Sequence, residues 1–387
     1  MTNSLNPKVY VLTFTAFVML SSEFIVAGLL PEISAGLHIS VGNAGWLITA
    51  FALGMGIGAP VIAAFTHRVR MRSLLMAACI ALFLGNTVAA LTTNFPLLLI
   101  GRALGGVGVA IFWTNAALIA AAMSSEQTKS LAVSRVLIGV SIASVVGVPV
   151  GKAVSDLWHW EGALILMSGL SALALMMVIK WIRPPELDGS KPATTLLSRL
   201  SEIWKKDIVL MLVSSVLIFG GIMSVFSYLA TFLIRHTGFP AVQVTMILAL
   251  YGVADIVGNL VLAKRVPNPL DTLFKRLLLV LAGSLAAITL LGNEMWLLPL
   301  AVAAVGCCHA TTGLLMGIDV LRRAGSSAQL VGAVNVTAIN LGIMLGAMAG
   351  GFLIDHIDLR YIGLLGGSFV LLGWIVRTRL QPLPRIS

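Results

Sequence analysis

The sequence predicts an all-α polytopic membrane protein, and three observations carry that prediction. Hydrophobic residues fill 58% of the 387 positions, charged residues fill only 10%, and the mean hydropathy is +1.01. An average soluble domain is about 25% charged, and a soluble fold exposes too much surface to hide so apolar a composition. The apolar residues also come in long unbroken runs, where a membrane β-barrel alternates polar and apolar residues in short segments. The basic residues, finally, collect in every second gap between the runs. A cytosolic enzyme, a secreted domain and a disordered scaffold are excluded.

A helix needs about 20 apolar residues to cross a bilayer. That rule gives twelve spans, with approximate cores at 10–30, 43–65, 73–92, 96–122, 130–151, 162–182, 208–233, 241–263, 274–292, 296–318, 328–351 and 360–376. The first run is too long for the apolar part of a cleaved leader and shows no small-residue cleavage site, so it is expected to remain as a helix. With the N-terminus inside, 21 Lys and Arg fall on the inner side against Lys152, Arg235 and Arg360 outside, and Arg102 stays within a span. This bias predicts both termini in the cytoplasm. It also accounts for the net charge of +10 without a nucleic-acid partner. The short loops suggest a bacterial inner membrane.

The longest hydrophilic stretch contains Pro184, Pro185, Gly189 and Pro192. It divides the chain into an N-terminal six-helix bundle at 1–183, a cytoplasmic linker at 184–207 and a C-terminal six-helix bundle at 208–387. The stretch Leu196–Trp204 is weakly amphipathic and suits the inner membrane surface. The two halves echo each other. Gly147, Gly151 and Asp156 at the end of the fifth span recur as Gly346, Gly350 and Asp355 at the end of the eleventh, each 199 residues later. Arg68 has a counterpart at Arg265. Parallel repeats of this kind point to a transporter that rocks around a midplane site.

Charges within the spans are expensive, about 2.5–3.5 kcal/mol each on insertion scales, and usually face a cavity or a partner. Glu23 and Arg102 each lie seven residues from the outer end of their span, roughly 10 Å deep at 1.5 Å per residue. They are expected to meet if spans one and four are neighbours. Glu23 then reads either as a proton carrier switched by its distance from Arg102 or as half of a fixed ion pair. Asp255, in span eight, reads as a second titratable site or as a partner of Lys264 or Arg265. Asp319 reads as an interfacial charge beside Arg322 and Arg323, Glu32 as an outer-rim acid, and His309 as either a structural or a substrate-contacting side chain.

Several of these residues resemble a known family. Ser22-Glu23-Phe24 with Gly28-Leu29-Leu30-Pro31, Gly101-Arg102 with Gly105, Gly106 and Gly108, and Gly139, Gly147, Pro149 and Gly151 resemble helices one, four and five of the major facilitator superfamily. The resemblance is to its twelve-span drug:proton antiporters, in the branch of chloramphenicol-resistance, sugar efflux and purine nucleoside exporters. It implies alternating access, a proton as coupling ion with no other cofactor, and a monomer. It assigns Gly139, Gly147, Pro149 and Gly151 to the antiporter motif and Arg68, Arg70 and Arg72 to the inner gate loop. Two places depart from the family pattern. The loop after span two lacks its usual acid and reads His67-Arg68-Val69-Arg70-Met71-Arg72, and the usual Gly-Trp-Arg after span five is His159-Trp160-Glu161.

Aromatic and amide residues supply candidate substrate contacts: Phe112, Trp113 and Asn115 in span four, Phe219, Phe226 and Tyr228 in span seven, His309 in span ten, and Asn335, Thr337 and Asn340 in span eleven. Aromatics with few polar groups suit a lipophilic, partly polar solute; the same residues also serve as helix packing. The expected function is therefore proton-coupled efflux of a small amphiphilic drug, with export of a sugar, nucleoside or other metabolite as the alternative. No nucleophile motif or metal-ligand spacing marks an enzyme. Gly151-Lys152 does not begin a phosphate-binding loop, because Val146 and Ala153 stand where Gly and Ser or Thr are required.

Overall fold

The computed structural model describes residues 6–65, 69–125, 127–183, 203–263 and 270–381; Arg68 and most of the expected linker lie outside them. The described residues form helices and no strands. Four come first: α1 (Val9–Leu37), α2 (Val41–Phe65), α3 (Met71–Ala90) and α4 (Phe95–Ala122). Next is a 53-residue apolar segment, Lys129–Trp181. At 1.5 Å per residue it would reach about 80 Å, against a hydrocarbon core of about 30 Å, so it crosses twice. The turn falls at Trp158 and His159, whose dihedrals are not helical, and separates α5 (129–157) from α6 (160–181). The remaining helices are α7 (Lys206–Thr237), α8 (Ala241–Ala263), α9 (Leu270–Leu290), α10 (Leu298–Ala324), α11 (Ala328–His356) and α12 (Ile362–Thr378). Twelve helices long and apolar enough to span a bilayer result. We call the side carrying the α2–α3, α4–α5 and α10–α11 connections the basic face.

The helices group as two similar bundles. In the first, α3 packs on α4 and α6, and α1 on α5 and α6; in the second, α9 packs on α10 and α12, and α7 on α11 and α12. The likeness reaches single residues. Gly147 meets Ser21 and Gly151 meets Ile25, while Gly346 meets Gly220 and Gly350 meets Ser224. Those partners too lie 199 positions apart. In lipid no hydrophobic drive brings helices together, so close approach across small residues supplies the packing. A Cβ at Gly147 would overlap the Ser21 hydroxyl, and one at Gly139 would overlap the carbonyl of Thr13. This is where the four expected motif residues of α5 fall: its glycines press on α1.

Pro149 has a different effect. It has no N–H, and its ring presses on the carbonyl four residues back. The helix accommodates it by widening to a π-turn over Ala143–Gly147, one of the recognised causes of a helix bend. The widened turn brings the Ser144 carbonyl against Gly252 of α8, where a side chain would not fit. The bundles meet along α5–α8, α1–α7 and α2–α11.

Away from the basic face this seam is tight. Ser40 caps α2 by accepting from the Asn43 N–H at 3.0 Å. Asp355, at the far end of α11, accepts from the Ser40 hydroxyl at 2.6 Å and from the Gly42 N–H at 3.2 Å. A carboxylate at a helix N-terminus is favoured by both the free N–H groups and the helix dipole. Gly42 and Gly45 allow the approach, the second lying under the Tyr228 hydroxyl.

Two expected positions are corrected. Lys152 is not in an outer loop: α5 continues past it, and its ammonium is buried between Glu32 of α1, at 2.9 Å, and Asp156. Asp319 is not an interfacial charge. It is fully buried, 2.7 Å from Arg323 and 2.9 Å from Arg377 of α12, and Arg323 also holds Asp271 of α9 at 2.8 Å. Arg377 stacks 3.9 Å from the Phe274 ring centroid. The sequence shows Arg322 and Arg323 nearby but gives no sign that the end of α12 folds onto them.

One departure from the family pattern falls at the α5–α6 turn. His159 has φ 60° and ψ 172°, a region that is essentially glycine's and costs other residues about 1–3 kcal/mol. His159→Gly is therefore expected to stabilise the protein by about 1 kcal/mol or more, read as a raised thermal midpoint in detergent. An unchanged or lowered midpoint would show that the turn carries no such strain.

Candidate functional site

Glu23 and Arg102 come together, but not as an ion pair. Arg102 is buried and reaches from α4 to the backbone of α1, donating to the Ser22 carbonyl at 3.0 Å and to the Glu23 carbonyl at 3.3 Å. Its guanidinium carbon lies 4.2 Å from the Phe51 ring centroid. Glycines make the reach possible: Gly106 sits under the Phe51 carbonyl, and Gly101 and Gly105 sit against Gly85. Arg102 thus ties α1, α2 and α4 at one depth. The Glu23 carboxylate is left without a hydrogen bond or ion pair among the described residues, and it lines a cavity.

That cavity is narrow and is walled by Glu23, Phe24, Phe51, Met223, Phe226 and Ser227 among others. A second, equally narrow, shares Phe24 and Phe226 and adds Ser144, Leu248, Tyr251 and His309. Rings run continuously between them. Centroid separations are 5.6 Å for Phe24–Phe226, 4.9 Å for Phe226–Tyr251, 6.0 Å for Tyr251–His309 and 6.0 Å for Phe219–His309. Both bundles contribute, and α7 interrupts its α-helix at Ser227–Tyr228, beside the cavity. Broken helices at a midplane cavity are tolerated because the freed backbone lines protein rather than lipid.

Asp255 has a partner the sequence did not reveal. Its Oδ1 lies 3.1 Å from Nδ1 of His309, at an angle outside hydrogen-bond geometry. Lys264 and Arg265, the partners considered from sequence, lie outside the described residues.

The other candidates divide. Phe219, Phe226 and His309 belong to the ring cluster. Phe112 is buried in the core of the first bundle, with Trp113 edge-on at 5.3 Å. Asn115 donates to the Ile111 carbonyl of its own helix at 2.8 Å. Tyr228 is buried and donates to the Ala347 carbonyl at 2.7 Å, tying α7 to α11. Asn335 accepts from Ser215 at 2.6 Å in the same pair of helices. Asn340 and Thr337 face α2 at Gly56, whose carbonyl accepts from Thr337 at 3.4 Å. In the loop expected as an inner gate, Arg72 donates to the Ile179 carbonyl of α6, and Arg70 also has a partner. Phe24 and Tyr251 were not among the sequence candidates. The signal for Tyr251 was present, since it lies one turn from Asp255 on the same helix face.

Cavities between two similar six-helix bundles, with an ionisable group on one wall, are the arrangement of a membrane transporter. The sequence agrees. The model of the Major Facilitator Superfamily matches residues 12–338, and the chain belongs to that family. It is 30% identical to the uncharacterized MFS-type transporter YtbD of Bacillus subtilis over 95% of both chains. It is 27% identical to the inner membrane transport protein YdhP of Escherichia coli K12, over 91% of this chain and 90% of that one. A probable sugar efflux transporter of Helicobacter pylori 26695 is 24% identical over 94% and 93%. In fold the chain is similar to a D-xylose-proton symporter, with a TM-score of 0.81 at 14% identity over 97% of each chain. It is also similar to the nucleoside transporter NupG, with a TM-score of 0.75 at 15% identity over 97% and 100%.

Arg102→Lys keeps the charge but loses the two-pronged donation and the ring stacking, which an ammonium does not reproduce. Stability is expected to fall by about 1.5–3 kcal/mol, measured by denaturation in detergent. A variant as stable as the parent would show that the charge alone suffices.

Proposed function

We propose that this transporter exports a small amphiphilic solute, such as a chloramphenicol-type antibiotic, in exchange for a proton carried by Glu23. The observation that supports this most is the unpartnered Glu23 carboxylate on an aromatic cavity, directly beside the arginine that fixes its backbone. Intramembrane carboxylates of this kind mark proton and substrate pathways. In the proposed cycle the carboxylate takes a proton from one side, the bundles rock, and the proton leaves on the other side as solute enters. Arg102 is a positioning residue, since an arginine does not release its proton. The rings offer stacking surface with few hydrogen-bonding groups, which favours an amphiphile over a sugar. A second reading, export of a sugar, draws on the relative named a probable sugar efflux transporter. The positive-inside rule supports a bacterial inner membrane with the basic face and both termini in the cytoplasm.

The test is flux in proteoliposomes under an imposed pH gradient, with chloramphenicol, arabinose and inosine as solutes. Wild type is expected to move chloramphenicol against its gradient. Glu23→Gln is expected to abolish the gradient-driven part while leaving exchange of labelled for unlabelled solute. Equal gradient-driven flux in the variant would move the proton elsewhere, and flux of arabinose alone would select the second reading.

The contact of Asp355 with Ser40 and Gly42 gives another expectation, because it joins the two bundles on the side away from the basic face. Hydrogen bonds to a charged group contribute about 1.5–3 kcal/mol, so Asp355→Ala is expected to raise the population open on that side about tenfold or more. The measurement is labelling of a cysteine placed at Ser227, on the cavity wall, by an impermeant maleimide added outside intact cells. A rate unchanged from the Asp355 parent would mean the contact does not hold the seal.

A further inference from the structure

We infer that Asp255 and His309 form a second proton-binding site of the transport cycle, in the bundle opposite Glu23, so that two protons move per turnover. The inference rests on the proton-coupled reading above and adds to it. The pair sits on the same ring system as Glu23. His309 lines the cavity that shares Phe24 and Phe226 with the Glu23 cavity, and Tyr251 and Phe219 hold its ring. Asp255 and His309 come from different helices, α8 and α10, which approach through Gly258 under the Cys307 carbonyl and Gly306 under the Tyr251 carbonyl. The facing atoms, Oδ1 and Nδ1, are 3.1 Å apart and have no hydrogen-bond partner among the described residues.

The surroundings leave the pair to itself. The titratable groups facing Asp255 are Tyr251 from its own helix and Cys307 from α10, with Cys308 next to Tyr251. The α5 turn packed on this side of α8 brings Ser144, and α7 brings Phe219. No lysine or arginine among the described residues pairs with Asp255. In the inferred cycle the pair holds one more proton in one conformation than in the other: with it, carboxylate and imidazolium offset each other's charge; without it, the carboxylate faces a neutral ring in an apolar wall, which is less favourable. Toward the basic face, no protein atom stands within 4 Å of where a Cβ would be at Gly313 and Gly317, one and two turns from His309. In this conformation the seam is tight on the other side, so the pair exchanges its proton with the basic face. On rocking it is closed off from there.

The test counts protons without needing the solute. Full-length protein in lipid vesicles carries spin labels on ketone side chains introduced at Leu131 and Leu321, exposed positions at the basic ends of α5 and α10. Distance distributions then give the ratio of the two conformations from pH 5 to 9. By linkage, the slope of the logarithm of that ratio against pH is the difference in bound protons. Wild type is expected to approach about a hundredfold per pH unit. Asp255→Asn and His309→Gln are each expected to reduce this to about tenfold, as is Glu23→Gln, and the pair Glu23→Gln with Asp255→Asn to give a flat line. A packing role alone would move the midpoint or the thermal stability but not the slope. If Asp255→Asn misfolds, His309→Gln carries the test. A wild-type slope of about tenfold per unit that both variants leave intact overturns the inference. A slope insensitive to Glu23→Gln overturns the reading on which it rests, whatever Asp255 does.

Discussion

Arg102 holds the architecture of the site together, because it is a charged side chain that spends its hydrogen bonds on a neighbouring backbone. A guanidinium at membrane depth is expensive to bury, and here two carbonyls of α1 and the face of Phe51 from α2 receive it. Three helices are thereby fixed at one level. The consequence for chemistry is indirect. Because Arg102 is engaged by the peptide groups of Ser22 and Glu23, the Glu23 carboxylate faces the cavity with no hydrogen bond among the described residues. An ion pair between the two side chains would have neutralised the acid and removed it from the wall.

That arrangement requires backbones in close contact, which is why glycine recurs where it does. Gly101, Gly105 and Gly106 let α4 lie against α2 and α3. Gly139, Gly147 and Gly151 bring α5 onto α1, and Gly342 and Gly346 bring α11 onto α7 in the second bundle. Pro149 adds a bend that no glycine provides. Its π-turn carries the Ser144 carbonyl across to Gly252 and so helps to join the two bundles. The antiporter motif assigned by resemblance thus has a mechanical meaning in this chain: part of it packs one bundle, and part shapes the surface on which the bundles meet.

How much of this was legible in the sequence depended on distance along the chain. Hydropathy and the bias of basic residues give twelve helices, because spanning length and loop charge are local properties. The repeat at 147 and 346 was visible because the same small residues pack the same neighbour in each half. Glu23 stood out as a lone acid in an apolar run, and Asp255 did too. What escaped was pairing between remote segments. Asp255 and His309 are 54 positions apart, and Asp319 and Arg377 are 58 apart. Nothing in composition ties them until α8, α10 and α12 are packed. Asn115 and Asn335 show the opposite case. Their residue type suits a binding cavity, yet each sits inside a bundle, because a polar tip buried among helices satisfies itself on the nearest carbonyl or hydroxyl.

The two halves match in packing and differ in chemistry, and the difference has a direction. Asp156 and Asp355 occupy equivalent places, yet Asp156 lies beside Lys152 within its own bundle while Asp355 crosses the seam to cap α2. The bond across the seam on the side away from the basic face therefore comes from the second repeat. At the other end of α2, the loop that usually carries an acid in this family has His67 and arginines instead. A carboxylate thus stands at the end of α2 that is closed, and the acid is missing from the end beside the basic face. In the proposed cycle such a distribution would lower the energy of one of the two rocked states relative to the other. It is the conformation of this structure, in which Glu23 and His309 line two neighbouring cavities that share Phe24 and Phe226. The repeats supply two similar bundles, and the unmatched charges at their ends decide which way those bundles lean.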